Sequence, residues 1–240
     1  MPPRLSGLSF FFPALNEEDH VGALVRDALT ILPRFTDDLE VTVVDDGSTD
    51  RTGAIADELA AADARVHVVH HGARRGYGAA VRSGLLAATK QWVFYTDGDR
   101  QFDLRDLERL IAVSDDADAV VGYRERRADP PPRLLLAWVY NRLIRVLFGG
   151  GWRDVDCAFK LFRRDVFARV DLARVRSNGA LFSPELLIRL RRAGVTVRQV
   201  GVRHLPRVAG RAKGAEPRVI LRAIRDLLRL RLRFWLYPDD

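Results

Sequence analysis

The first half of the chain alternates between short apolar runs and longer segments with helical spacing. Residues 8–12 (LSFFF), 40–46 (EVTVVDD), 66–69 (VHVV), 92–96 (WVFYT) and 117–122 (ADAVVG) read as strands. Between them, Glu17–Leu32, Arg51–Ala62, Tyr77–Thr89 and Leu104–Val113 read as helices. In the first of these, Val21, Leu24, Val25, Ala28 and Leu29 form the apolar stripe. Strands alternating with helices predict a parallel sheet joined by right-handed crossovers. The strands are apolar on both faces, which predicts helices on both sides of the sheet.

The second half has a different pattern. ADPPPR at 128–133 breaks the chain. Arg133–Phe148 then reads as a helix whose polar positions are Arg133, Asn141, Arg142 and Arg145, ended by Gly149-Gly150-Gly151. Residues 154–167 are mixed in pattern, and 196–204 (TVRQVGVRH) alternate like a strand. Pro217–Tyr237 begins as an amphipathic helix. Arg218, Arg222, Arg225 and Arg229 share one face, and Ile220, Leu221, Ile224, Leu227 and Leu228 another.

At 240 residues the chain is long enough for one large domain, or for one domain with an appendage. A single Cys157 excludes an internal disulfide and suits a reducing compartment. The N-terminal apolar run is too short for a signal peptide, and Leu134–Tyr140, the longest uninterrupted one, is too short to span a bilayer. A cytoplasmic protein is therefore expected. The net charge of +7 comes almost wholly from arginine, because Lys90, Lys160 and Lys213 are the only lysines. Acids concentrate before residue 130 and arginines after it. The first part suits a cation; the second suits phosphates, an acidic membrane surface or nucleic acid.

In a sheet of this kind, ligands bind beyond the carboxyl ends of the strands. The candidate chemistry lies there. TDGDRQFD after the fourth strand places Asp97, Asp99, Gln101 and Asp103 at the spacing of a calcium loop. That reading fails, because Phe102 stands where the loop needs glycine and a strand precedes it. Asp103 is expected to cap the next helix. Asp97 and Asp99, held close by Gly98, repel each other unless a cation lies near, and a divalent ion shared with a diphosphate would supply it. Asp45 and Asp46 end the second strand, where a carboxylate can accept hydrogen bonds from a base or a ribose. Asp50 is expected to cap the helix that follows. GYGAAVRSG lacks the glycine of a dinucleotide fingerprint at Val81 and the Gly-Lys-Ser/Thr of a P-loop. Gly76 and Gly78 would still let a ligand approach the helix start, with Arg82 a turn further in. Arg207 and Lys213 flank Gly210 in a basic loop suited to phosphate. His70, His71 and His204 read as surface or internally satisfied residues.

FFPALNEE, VVDDGSTDRT, GYGAAVRSG, TDGDRQFD, VGYR, DVDCAFKLFRRDVF and PRVAGRAKG occur in an order that resembles glycosyltransferase family 2, over residues 8 to 214. Within it, the chain is most similar to the dolichol-phosphate mannose synthase and bacterial polyprenyl-phosphate subgroup. The resemblance implies an α/β GT-A fold with a mostly parallel central sheet. The catalytic domain would span 1–214, with a nucleotide and metal half to about 127 and an acceptor half from 128. Residues 215–240 would form a basic amphipathic tail.

The resemblance also implies roles. Pro13, Leu15 and Glu17 contact the nucleotide, with Gly76, Arg82 and Gly98 beside it. Asp45 and Asp46 bind base and ribose. Asp97 and Asp99, with Gln101, hold Mg²⁺ or Mn²⁺ against the donor diphosphate. Arg124, Arg133 and Arg207 meet the acceptor phosphate, and Arg207 and Lys213 close over the phosphates. Ala212 stands where relatives often carry serine. The donor implied is GDP-mannose, with UDP-sugars as the alternative. The acceptor is a polyprenyl phosphate, or a non-lipid acceptor in the second reading, and nucleic acid is not a partner. Displacement would invert the anomeric centre. The acceptor phosphate is already anionic, so no strong base is needed. Arg133–Phe148 and the tail would lie on the inner face of the membrane. With no spanning helix in the sequence, the expected attachment is peripheral or through a separate anchoring partner. A basic binding protein with vestigial acids is the rival from another class, and it predicts no metal-dependent nucleotide binding.

Overall fold

The computed structural model describes residues 4–125, 131–206 and 217–236. Seven strands form one sheet: β1 (Leu8–Ala14), β2 (Leu39–Asp45), β3 (Val66–His70), β4 (Trp92–Tyr95), β5 (Ala119–Arg124), β6 (Lys160–Arg163) and β7 (Val197–Val202). Their order is β3-β2-β1-β4-β6-β5-β7. All neighbouring pairs are parallel except those of β6, which runs against β4 and β5. The sheet is thus mostly parallel, as expected. The helices are α1 (Val21–Ile31), α2 (Thr52–Ala62), α3 (Tyr77–Ala87), α4 (Leu107–Ile111), α5 (Pro131–Phe148), α6 (Val166–Arg169), α7 (Phe182–Arg192) and α8 (Pro217–Leu236).

The doubly apolar strands explain the core. β2 is buried at every position, and Phe10, Phe11 and Phe12 of β1 are each at most 1% exposed. Each such ring contributes about 1.5–3 kcal/mol of burial. Phe10 stacks on Phe94 and Phe11 on Tyr95, which joins β1 to β4 across the sheet's centre. The carboxyl ends of β1, β2, β3, β4 and β5 therefore share one edge.

Several boundaries differ from the sequence pattern. α1 starts at Val21, not Glu17, because Asn16 adopts a left-handed backbone (φ 55°) and residues 16–18 are hydrogen-bonded to the turn after β2. The fourth helix opens with a 3₁₀ turn at Leu104–Asp106 before α4. The mixed segment 154–167 resolves into β6 and the start of α6. The pattern does not reveal α7. This helix is buried almost all round and carries Glu185 and Arg189 inside, so its apolar stripe is interrupted by paired charges.

α8 returns to the body of the protein. Leu230 and Phe234 pack with Ile188 of α7 and Phe148 of α5, and Leu227 joins the main core. Arg233 donates to the fully buried Glu185. The opposite face of α8 leaves Leu228, Leu232, Trp235 and Leu236 exposed.

Candidate active site

A cleft of about 290 Å³ opens beyond the ends of β1, β2 and β4. It brings together Pro13, Leu15, Glu17, Asp46, Asp97, Gly98 and Asp99, all anticipated from the sequence. Arg74 and Tyr77 line it too and were not anticipated. Asp45, Gly76, Arg82 and Gln101 are not among its walls.

The floor is the Asp97-Gly98-Asp99 turn. A side chain at position 98 would come within 2.8 Å of the Pro13 carbonyl oxygen, so glycine lets the turn lie against β1. Arg100 then takes a left-handed backbone (φ 57°) and pairs with Asp27 at 2.8 Å. Asn16 and Arg100, the non-glycine residues with positive φ among the described residues, each adjoin a residue that lines the cleft, where strain commonly marks a functional site. Asp103 caps the following turn as expected, accepting from the Arg105 amide at 3.0 Å.

Asp97 opens onto the cleft yet is desolvated by the protein around it. Desolvation, then the neighbouring charge of Asp99, push its pKa up to about 7; a hydrogen bond from Tyr77 and the charges of Arg124 and Lys160 oppose this. Lys160 is there because β6 runs backwards, which pairs it with Tyr95 at the end of β4. It is fully buried, and its ammonium donates to the Cys157 carbonyl oxygen.

Two close carboxylates of which one resists ionisation are left under-compensated by the charges of Arg124 and Lys160, and a divalent cation fits such a site. The described residues contain no cluster of three or more His, Cys, Asp or Glu side chains able to hold a metal. The protein would therefore supply the two carboxylates, with the remaining ligands coming from substrate and water.

The acids at the end of β2 are engaged within the chain. Asp45 accepts from the Ser48 amide at 2.9 Å and faces His70 Nδ1 at 3.1 Å. His70 also reaches Asp57 at 2.9 Å, and these two carboxylates, Asp57 first, raise its pKa. Asp46 accepts from the amides of Arg75 and Gly76, both at 2.8 Å, and faces His71 Nδ1 at 2.7 Å. His70 and His71 are satisfied, as expected, but their partners are the acids themselves. Asp50 accepts from both the amide and the hydroxyl of Thr52, the first residue of α2, but from one position before the N-cap, which is Arg51 and not Asp50 as expected.

Other expectations change. Gly76 takes φ 98° at the start of α3, which favours glycine, and spends its amide on Asp46. Gly78 does not admit a ligand: an added Cβ would lie 2.6 Å from the Ser177 carbonyl oxygen and 2.9 Å from the Phe182 ring. Its bareness serves packing. Arg82 does not line the cleft; it donates to the Val175 carbonyl oxygen and lies 5.8 Å from the Phe182 ring centroid. Gln101 donates from its side chain to the Leu205 carbonyl oxygen at 3.1 Å and accepts at its own carbonyl from the Leu205 amide at 2.8 Å. Its amide nitrogen thus ties the acidic turn to the chain preceding residue 207. Arg124 is held by Asp154 in a two-point ion pair, which raises its pKa although burial opposes this. Arg207 and Lys213 lie outside the described residues, as does the side chain of Arg133.

A second groove of about 200 Å³ lies between β5 and α5. Arg142, Arg145 and Arg153 line it with Leu134 and Trp138 at its apolar side, and Arg124 and Asp154 form part of its wall. Arg145 donates to the Trp152 carbonyl oxygen at 3.0 Å, and Arg153 sits 4.6 Å over the Tyr123 ring. The sequence pattern marked these arginines only as polar interruptions or general basic charge.

Comparison with known proteins agrees with this geometry. The family model for glycosyl transferase family 2 matches residues 9–171. Glycosyltransferase AglD of Haloferax volcanii is 36% identical over 81% of this chain, which spans only 32% of that protein. Polyprenol monophosphomannose synthase of Mycolicibacterium smegmatis is 34% identical over 84% of this chain and 78% of that protein. Among solved structures, glucosyl-3-phosphoglycerate synthase from Mycobacterium tuberculosis shares the fold, with a TM-score of 0.72 at 19% identity over 94% of this chain and 78% of that one. The chain belongs to glycosyl transferase family 2 and is a glycosyltransferase.

Proposed function

We propose that the protein transfers a sugar from a nucleotide diphosphate donor to a polyprenyl phosphate, with inversion. The observation that carries this reading is the adjacency of two unlike sites. One is a carboxylate-floored cleft; the other is an arginine-lined groove with an apolar side. Arg124 links them, since it walls the groove while its charge acts on Asp97. The named relatives support a lipid phosphate acceptor. They include polyprenol monophosphomannose synthase and undecaprenyl-phosphate mannosyltransferase of Micrococcus luteus, the latter 29% identical over 72% of this chain. GDP-mannose is the donor we favour, although other relatives are named for glucose and galacturonate.

In this reading Asp97 and Asp99 hold Mg²⁺ or Mn²⁺, whose charge stabilises the departing diphosphate. The segment Pro13–Glu17 and Asp46 shape the nucleoside end of the cleft. Arg142, Arg145 and Arg153 bind and orient the acceptor phosphate, whose oxygen forms the new bond to the anomeric carbon as the bond to the diphosphate breaks. That oxygen carries its own negative charge, so no side chain needs to remove a proton.

The acceptor's lipid places the enzyme at a membrane surface. No helix among the described residues is long and apolar enough to cross a bilayer. Trp138 and Val146 on α5 and Trp235 on α8 are each more than 60% exposed, and arginines neighbour all three. These faces suit peripheral attachment to an anionic surface. The direct test incubates the protein and Mn²⁺ with GDP-mannose or UDP-glucose and a short polyprenyl phosphate. A glycosylated lipid phosphate is expected. Hydrolysis without lipid product, with every donor, would remove the acceptor assignment.

A further inference from the structure

Asp46 and Asp97 lie on different strand ends of the cleft, yet they are connected through the protein. Asp45 is level with His70 in the sheet, so the next residues, Asp46 and His71, leave β2 and β3 side by side. His71 is 5% exposed and uses both ring nitrogens, Nδ1 with Asp46 at 2.7 Å and Nε2 with the Ser83 hydroxyl of α3 at 2.9 Å. Asp46 in turn accepts from the Arg75 and Gly76 amides, which fixes the first turn of α3. Tyr77 is the next residue; it lines the cleft together with Asp97, and its hydroxyl acts on that carboxylate as a hydrogen-bond donor in the electrostatics of the site. Hydrogen bonds run from Ser83 to His71 to Asp46 to Gly76, and Tyr77 carries the path to the cleft wall it shares with Asp97.

We infer that His71 and Tyr77 are positioning residues, a brace that fixes the metal-side carboxylate Asp97 relative to the nucleoside-side acid Asp46. Any buried histidine needs a partner for each nitrogen; what marks His71 is that one of its partners is the cleft acid Asp46. The brace works with the ring neutral, since Nδ1–H can donate to Asp46 while Nε2 accepts from Ser83. Its catalytic meaning rests on the donor-site reading above; its existence does not.

The test separates the two. Amide exchange at Arg75 and Gly76 is measured alongside binding of Mn²⁺ with GDP or UDP. The variants are His71→Leu, His71→Asn and Tyr77→Phe. His71→Leu is expected to speed exchange at both amides about tenfold or more, and to weaken Mn²⁺-nucleotide binding by about 10–100-fold. Asparagine places an amide N–H near the Nδ1 position, so His71→Asn is expected to recover most of both. Tyr77→Phe is expected to leave the two amides protected and to weaken Mn²⁺ binding alone. Equal behaviour of His71→Leu and His71→Asn, or unchanged exchange in His71→Leu, would overturn the brace. Unchanged Mn²⁺ binding in Tyr77→Phe would overturn its metal arm. If the wild type binds neither nucleotide while His71→Leu still loosens the amides, the donor reading fails and the brace stands. Should His71→Leu not fold, Ser83→Ala provides the same readout from the other end, with faster exchange at Arg75 and Gly76 expected and unchanged exchange contradicting the brace.

Discussion

Arg124 and Asp154 are joined at two points at the end of β5, Nε to Oδ2 at 2.6 Å and Nη2 to Oδ1 at 2.7 Å, with both side chains at most 10% exposed. An arginine held this way is a fixed wall of the site, and Arg142, Arg145 and Arg153 are left as the groove's other cations. Removing one partner of a buried pair leaves the other charge uncompensated. Asp154→Ala is therefore expected to cost about 3–5 kcal/mol in denaturant unfolding. A loss below about 1 kcal/mol would show that the pair is not buried in solution.

Asp97 gives a pH dependence of definite sign. Its folded pKa, about 7, lies above the ordinary 3.8, so between those values the folded state holds a proton that the unfolded chain has lost. Stability of the metal-free protein should fall as pH rises through that window and level off above it. A cation competes with the same proton. Mn²⁺ affinity should drop as pH is lowered from 8 to 6, by about tenfold where the proton dominates. Calorimetric titration at the two pH values checks this, and an affinity independent of pH would contradict it.

The exposed faces of α5 and α8 predict membrane attachment that responds to both salt and apolar truncation. Replacing Trp138 and Trp235 by serine should release the protein from anionic vesicles in a flotation assay. Raising salt should weaken binding of the wild type, because the arginines contribute through screened charge. Each of these tryptophans is at least 65% exposed, so the stability of the fold should change little. Equal flotation of wild type and variant would remove these faces from the account.

Gly78 predicts a packing effect at a distance from the chemistry. Its missing side chain faces the Ser177 carbonyl oxygen, which belongs to backbone and yields little. Gly78→Ala should destabilise the protein by about 1–3 kcal/mol in denaturant unfolding, as overpacking does. A neutral or stabilising result would mean that the segment at 177–182 moves freely against α3.

The strands, the order of helices in the first half and the Asp97-Asp99 turn were legible because each follows from a local rule. Apolar runs bury on both faces, and acids after a strand end stay at one sheet edge. The missing parts depend on partners distant in sequence. α7 hides its period because Glu185 is paired internally with Arg189 and Arg233. Lys160 stands out in the sequence only as one of three lysines, and the reversal of β6 brings it beside Asp97. The resemblance makes Arg124 a phosphate ligand and sets Arg82 beside the nucleotide, and neither Asp154, which holds the first, nor the Val175 carbonyl, which holds the second, is visible in the local sequence. Tyr77 carried no signal beyond its place at a helix start, and its role emerges only from the hydroxyl's reach to Asp97.

The proposed function makes the acidic cleft and the arginine groove two halves of one transferase site. The most direct measurement is transfer of radiolabelled sugar to a short polyprenyl phosphate with Mn²⁺, run for the wild type, Asp99→Ala and Arg142→Ala. Lipid-linked product is expected with the wild type, none above background with Asp99→Ala, and a raised lipid KM with Arg142→Ala. Undiminished transfer by Asp99→Ala, or no lipid-linked product from the wild type with any nucleotide sugar, would contradict it.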